Sequence, residues 1–193
     1  MKLLIIEGTD RCGKDTLINS LSELHLNSKM VHWSYPQGQT NEEKTDYQKK
    51  SFNRFMDEFS FLDTSKQHDL LIWNRSHIGE CVYGPLYRNS DPEWIYELEK
   101  EYLLKENVYL VYLYGDAEFL LKNDDGESFT TDINKKKLEA ELFENAVDKS
   151  LITNKIKIKV NKGNEYVNIV NTVVDFLKTK SQKELHYVKT IVK

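Results

Sequence analysis

The sequence is poor in residues that staple, break or anchor a chain. Two cysteines in 193 residues, Cys12 and Cys81, are too few for a disulfide framework and show no zinc spacing; they point to a reducing, cytoplasmic setting. Three prolines and eight glycines leave no collagen-like repeat and no Gly/Pro-rich linker. No apolar run approaches the ~18 residues a membrane span needs. The opening run, MKLLII, stops at Glu7, too short for a signal-peptide core. Basic excess is missing too: 27 Lys plus Arg against 31 Asp plus Glu give a net charge of −4. That excludes a general nucleic-acid coat, though not a local phosphate site. The histidines His25, His32, His68, His77 and His186 form neither a triad nor a metal pattern.

What is present is a globular composition of one domain's length, 39% hydrophobic and 30% charged. Short apolar runs at 3–6, 30–33, 69–73, 108–114 and 155–160 read as strands. Helical patterns lie between them: Leu17, Ile18, Leu21 and Leu24 after the first run, then 41–65, a segment opened by Asp91-Pro92, 117–122, 134–150 and 165–179. This alternation predicts an α/β fold, a five-stranded, mostly parallel sheet flanked by helices in a three-layer sandwich. Residues 1–180 form one domain without repeat or linker. In the tail, 181–193, Val188, Ile191 and Val192 are free to dock on the core or on a partner.

Between the first strand and the first helix stands Gly8-Thr9-Asp10-Arg11-Cys12-Gly13-Lys14-Asp15-Thr16. The spacing G-x-x-x-x-G-K in that context is a phosphate loop. Its glycines let successive N–H groups face one phosphate, the helix start adds its positive end, and Lys14 supplies a point charge. Asp15 stands where a Ser or Thr hydroxyl normally meets Mg²⁺. Either Asp15 itself or Thr16 then serves the metal. A loop closed to nucleotides by Asp15 is the third alternative, opposed by Lys14 and Arg11. Cys12 reads as a small filler of the loop.

The arginines are Arg11, Arg54, Arg75 and Arg88; beyond residue 88 every Lys/Arg cation is a lysine. In a chain that covers its surface with lysine, arginine marks places needing a planar, forked donor, as phosphates and bases do. Arg11 lies in the phosphate loop. Arg75, in Trp73-Asn74-Arg75-Ser76, lies at the carboxyl edge of the sheet, where α/β ligands bind. Arg54 is on the preceding helix, and Arg88 ends Val82-Tyr83-Gly84-Pro85-Leu86-Tyr87-Arg88.

Together these elements resemble the thymidylate kinase family of P-loop nucleoside monophosphate kinases. The phosphate loop carries the family's Asp two residues after the first Gly, here Asp10. Asn53-Arg54 on a helix, 21 residues before Asn74-Arg75, is similar to the paired Asn-Arg and Asp-Arg elements. Tyr83 falls where the family keeps a Tyr beneath the deoxyribose. The resemblance covers 1–180 and implies ATP and Mg²⁺ as cofactors, a small nucleotide as substrate and a homodimer. It implies that Gly8, Asp10, Arg11, Cys12, Gly13, Lys14, Asp15 and Thr16 form the ATP site, with Asp15 near the metal. Arg11, Lys14 and Arg75 become the catalytic cations. A lid candidate at about 122–135 has no arginine, so the arrangement resembles the eukaryotic type, with Arg11 as an internal finger. Acceptor contacts fall to Asp10, Tyr35, Arg54, Arg75, Glu80, Tyr83 and Arg88.

Several positions depart from the family. Asn74 replaces its Asp while Asp15 replaces a Ser or Thr, an exchange that keeps one carboxylate near Mg²⁺. Ser34 stands where a phosphate-binding Arg is usual, with Arg88 as a substitute. Lys50 stands where a base-stacking Phe is usual, leaving Phe52 or Tyr35 for that task. Gly84 replaces a Gln. Tyr87 reads as core, Glu80 as a sugar- or metal-side carboxylate, and the run 123–127 as a solvated lid tip. The lysines at 135–137 either approach ATP or solvate a helix start. The expected reaction is ATP-dependent phosphorylation of dTMP or a related pyrimidine dNMP. Rivals are a kinase of a deoxynucleoside or of a modified base hydroxyl in DNA, and a nucleotide-binding regulator that transfers nothing to a small acceptor.

Overall fold

The structure is a computed structural model that describes residues 1–24, 27–124, 126, 128, 130–160 and 167–178. Five strands, β1 (Lys2–Gly8), β2 (Ser28–His32), β3 (Leu70–Asn74), β4 (Val108–Tyr114) and β5 (Asn154–Lys159), form one sheet in the order β2-β3-β1-β4-β5. Every pairing is parallel, so the expected sheet is present. The helices are α1 (Lys14–Glu23), α2 (Asn41–Ser65), α3 (Glu80–Arg88), α4 (Trp94–Tyr102), α5 (Ala117–Lys122), α6 (Ile133–Lys149) and α7, over residues 167–178. No helix among the described residues is long and apolar enough to cross a membrane.

Strand periodicity divides the core in two. Leu3 and Ile5 of β1 face a layer with Phe52, Phe55, Phe59 and Phe143. Leu4 and Ile6 face the other layer, with Leu17, Leu21 and Val173. A central parallel strand is covered on both faces, which is why LLII is continuous rather than alternating. β1 connects to β2 on one side of the sheet, whereas β4 leads to β5 on the other. The crevice beyond the carboxyl end of β1 is therefore the switch point where such sheets bind ligands.

Local chemistry sets the helix ends. Thr40 and Glu43 close a reciprocal capping box on α2. Asp132 caps α6 through the N–H groups of Asn134 and Lys135. Strand bounds match expectation within two residues; β2 begins two residues early and ends before Trp33, which turns inward onto Phe55 with ring centroids 4.8 Å apart. Residues 80–88, left unassigned from sequence, are helical despite Pro85. The tail at 181–193 and lid positions 125, 127 and 129 lie outside the described residues.

A buried knot locks the far side of the site. Glu99 of α4 accepts from His77 (2.9 Å), the Ser150 hydroxyl (2.8 Å) and the Leu151 N–H (2.6 Å). Burial opposes the Glu99 charge, but these bonds, led by that from His77, hold its carboxyl below the usual range. A depressed folded-state value gives stability that is complete above the unfolded value and lost as pH falls through the folded one. Glu99→Ala is expected to cost about 3 kcal/mol or more at pH 7. In urea unfolding, the gap between wild type and variant should narrow below pH 4; a pH-independent gap would refute the ionised role.

Candidate active site

The site starts at the end of β1. Gly8 has φ 153°, and a Cβ there would meet the Leu113 carbonyl oxygen at 2.2 Å, so the turn requires glycine. The loop then runs through Arg11, at φ 70°, and Gly13, at φ 78°, into α1. The Lys14 ammonium folds back over it, donating to the carbonyls of Gly8 (2.9 Å) and Thr9 (2.8 Å). Burial, reinforced by the Arg75 charge, lowers the Lys14 pKa to about 8. The Cys12 Sγ and Thr9 Oγ1 lie 3.1 Å apart beneath the loop, and burial pushes the thiol up.

The end of β3 supplies the opposing wall. The Asn74 amide donates to the Asp15 carboxylate at 2.6 Å. Arg75, at φ 65°, pairs with Asp10 at 2.5 Å. Burial works against its charge, and Asp10 overrides that effect and raises its pKa. Beneath both loops lies Glu7, fully buried. One of its oxygens accepts from the Ser76 N–H (2.7 Å), the Ser76 hydroxyl (2.7 Å) and the Gly79 N–H (3.3 Å). Burial raises its pKa, partly offset by Ser76 and Arg75.

Two adjoining cavities open here. One, about 460 Å³, is lined by Arg11, Gly13, Lys14, Asp15, Thr16 and Asn74. The other, about 350 Å³, is lined by Trp33, Gln48, Glu80, Tyr83, Tyr87 and Arg88, with Glu7 at its base. Asp10, His32, Tyr35 and Arg75 line both. The first offers N–H groups, cations and oxygen donors for a polyphosphate. The second is a slot walled in part by aromatic rings: Tyr83 stacks on Tyr87 at 6.1 Å between centroids.

Sequence reasoning thus placed most of these residues together. Gly8 and Cys12 support the loop from behind and line neither cavity. Arg54 requires correction. It is exposed, lines neither cavity and interacts with the Tyr47 hydroxyl. The cavity face of α2 carries Lys44 and Gln48; at 100° per residue, Arg54 points about a third of a turn away from Gln48. Tyr87 also differs from expectation: it lines the slot and donates to Glu139 at 2.9 Å. Glu80 and Arg88 are both present in the slot but pair with one another, buried; burial pushes the Glu80 carboxyl up.

The lid side holds further differences. Asp124 is not a solvated tip: its carboxylate lies 3.8 Å from Arg11 Nε. Lys136 does not solvate the helix start either; it is 1% exposed, and its ammonium has no hydrogen-bond partner among the described residues. Glu7, Gln48, Ser76 and Glu139 are among the buried polar residues that sequence reasoning missed. A charged residue ending the central apolar strand was a usable signal for Glu7. Gln48 sits in a polar helical run that gives none.

No family model matches the sequence, and no curated protein matches it. Solved structures do. The YorR protein of Bacillus subtilis, in complex with phosphorylated GDP, is 18% identical, with 93% of this chain and 98% of that one covered and a TM-score of 0.66. Thymidylate kinase from Candida albicans is 13% identical over 93% of this chain and 92% of its own, with a TM-score of 0.62. The chain shares its fold with both structures.

The Asp15–Asn74 contact yields a test independent of substrate. Asn74→Asp sets two carboxylates side by side and should cost about 1 kcal/mol at pH 7, modest because Asp15 is exposed. The loss should vanish in the double variant Asp15→Ser/Asn74→Asp, as followed by urea unfolding. Additive losses in the double variant would refute direct coupling.

Proposed function

We propose that the protein transfers the γ-phosphoryl group of ATP to a deoxynucleoside monophosphate, dTMP or a related pyrimidine nucleotide, with Mg²⁺. The observation that carries this is the pair of cavities joined at Asp10 and Arg75. A phosphate-loop cavity beside an aromatic slot is the arrangement that transfer between two bound molecules needs. The solved neighbours lend support, one holding a nucleotide and the other being a thymidylate kinase.

In this mechanism loop N–H groups hold the β- and γ-phosphates, and Lys14 exchanges its carbonyl partners for phosphate oxygens. Arg11 meets the transferring group and Arg75 fixes the acceptor phosphate. An acceptor oxygen attacks the γ-phosphorus in line, the bond to the β-phosphate oxygen breaks, and ADP leaves. Lowering the barrier is mainly positioning and charge neutralisation.

The residues present fit a magnesium ion. Mg²⁺ needs only one or two protein carboxylates beside substrate phosphates. Asp15 supplies one, and the Asn74 amide oxygen beside it is buried with no partner among the described residues. When bound, Mg²⁺ neutralises charge on the phosphates. The Asp15/Asn74 pair then does the work of the usual hydroxyl and Asp with the two roles exchanged.

A second reading, transfer to an uncharged deoxynucleoside hydroxyl, is favoured by one observation. Both arginines of the slot already have carboxylate partners, Arg75 with Asp10 and Arg88 with Glu80. A panel of dNMPs, deoxynucleosides and DNA, offered with ATP and Mg²⁺ and followed by ADP release and product mass, separates the readings. Phosphorylation of dNMPs is expected; ATP turnover with no acceptor dependence would leave a nucleotide-binding regulator instead.

Two predictions concern the cations. Arg11→Ala is expected to lower turnover about 10³-fold or more while changing ATP binding little; equal losses in both would remove the finger assignment. Lys14, with a pKa lowered to about 8, is charged below that pH and loses its charge above it. Bound phosphate raises the value again. ATP binding should therefore take up protons near pH 8 but not at pH 6, and weaken above pH 8. Calorimetry in buffers of different ionisation enthalpy reads this uptake, and Lys14→Met should abolish it.

A further inference from the structure

Within the aromatic slot, one polar side chain is placed unlike the rest. Gln48 is 1% exposed and lines the cavity from α2. Its amide nitrogen donates to the Ser34 carbonyl oxygen at 3.2 Å. That oxygen can only accept, so the amide is fixed with its nitrogen toward Ser34 and its own oxygen directed elsewhere. The oxygen is buried and has no partner among the described residues. A buried amide oxygen left without a donor is costly, and a ligand N–H removes the cost.

We infer that Gln48 reads the base of the acceptor by accepting a hydrogen bond from a ring N–H. The inference rests on the reading that a nucleotide fills this slot. Surrounding groups suit a flat heterocycle: Trp33, Pro36, Tyr83 and Tyr87 line the same cavity. The Trp33 indole N–H is also buried without a partner among the described residues. Gln48 thus brings an unpartnered acceptor to a residue of the slot wall. A pyrimidine imide, with its N3–H flanked by carbonyl oxygens, presents the complementary donor. Arg54, the base contact that family resemblance implies, lies off this face; of the two α2 residues that line the slot, Lys44 and Gln48, Gln48 is the buried one.

The probes are dTMP and its N3-methyl derivative, titrated calorimetrically into wild-type protein and into Gln48→Leu, which preserves approximate volume. Wild type is expected to bind N3-methyl-dTMP at least about tenfold more weakly than dTMP. Gln48→Leu should bind both equally weakly. The wild-type comparison needs no variant and stands even if Gln48→Leu fails to fold. Equal affinity of wild type for both ligands, or a gap that survives in Gln48→Leu, overturns the inference. Discrimination at N3 without transfer from ATP overturns the proposed reaction and leaves base reading in place. Transfer to dTMP without discrimination does the reverse, and no binding of dTMP overturns both.

Discussion

Glu7 is the interaction on which the site is built. Strand β1 ends in a carboxylate buried under two loops, and one of its oxygens gathers three donors from Ser76 and Gly79. Those donors belong to the segment after β3, so Glu7 ties the phosphate loop that follows it to the segment that presents Arg75. The Arg75 N–H is held in turn by the Ile6 carbonyl at 3.0 Å. Neighbouring parallel strands would otherwise release two independent loops from the same sheet edge. Burial raises the Glu7 pKa while Ser76, Arg75 and Lys14 act the other way. The carboxylate is thus affordable only where these donors and cations converge.

Charge at the site is arranged in pairs. Arg75 pairs with Asp10, Arg88 with Glu80 and Arg11 with Asp124, while Lys14 is satisfied by loop carbonyls. A cluster of bare cations on an acidic chain would pay desolvation with no return before any phosphate arrived. Carbonyl and carboxylate partners keep the cations ordered at low cost; under the proposed function, phosphate oxygens would take the place of some of these partners. The net charge of −4 is therefore compatible with phosphate chemistry, since the relevant cations are few, local and already oriented.

Legibility in the sequence followed the period of the signal. LLII and VYLVYLY are buried on both faces, so their continuous apolar runs disclose central strands, and G-x-x-x-x-G-K discloses the loop because its spacing is its mechanism. Arg75 was readable for the same reason, since it directly follows a strand end; Tyr83 was readable only through the family resemblance. Arg54 was not. Its helix is 25 residues long, and each residue rotates the side chain by 100°, so spacing to a distant motif says little about the direction it faces. Gln48 occupies the cavity face in its place. The segment 80–88 concealed its helix behind Pro85 and Gly84, whose propensities argue against helix and are overridden by packing of Val82 and Cys81 in the core.

Asp15 and Asn74, two departures from the resembled pattern, form one pair in the fold. Motif matching treats the two positions as separate defects, because they lie 59 residues apart. In the fold they touch. An Asp at the strand end beside Asp15 would set two carboxylates together, and a Ser at position 15 beside Asn74 would leave none. Only the paired states keep a single carboxylate with an amide or hydroxyl to orient it. Asn74 and Asp15 therefore form each other's surroundings, and a change at either position alters what the other meets.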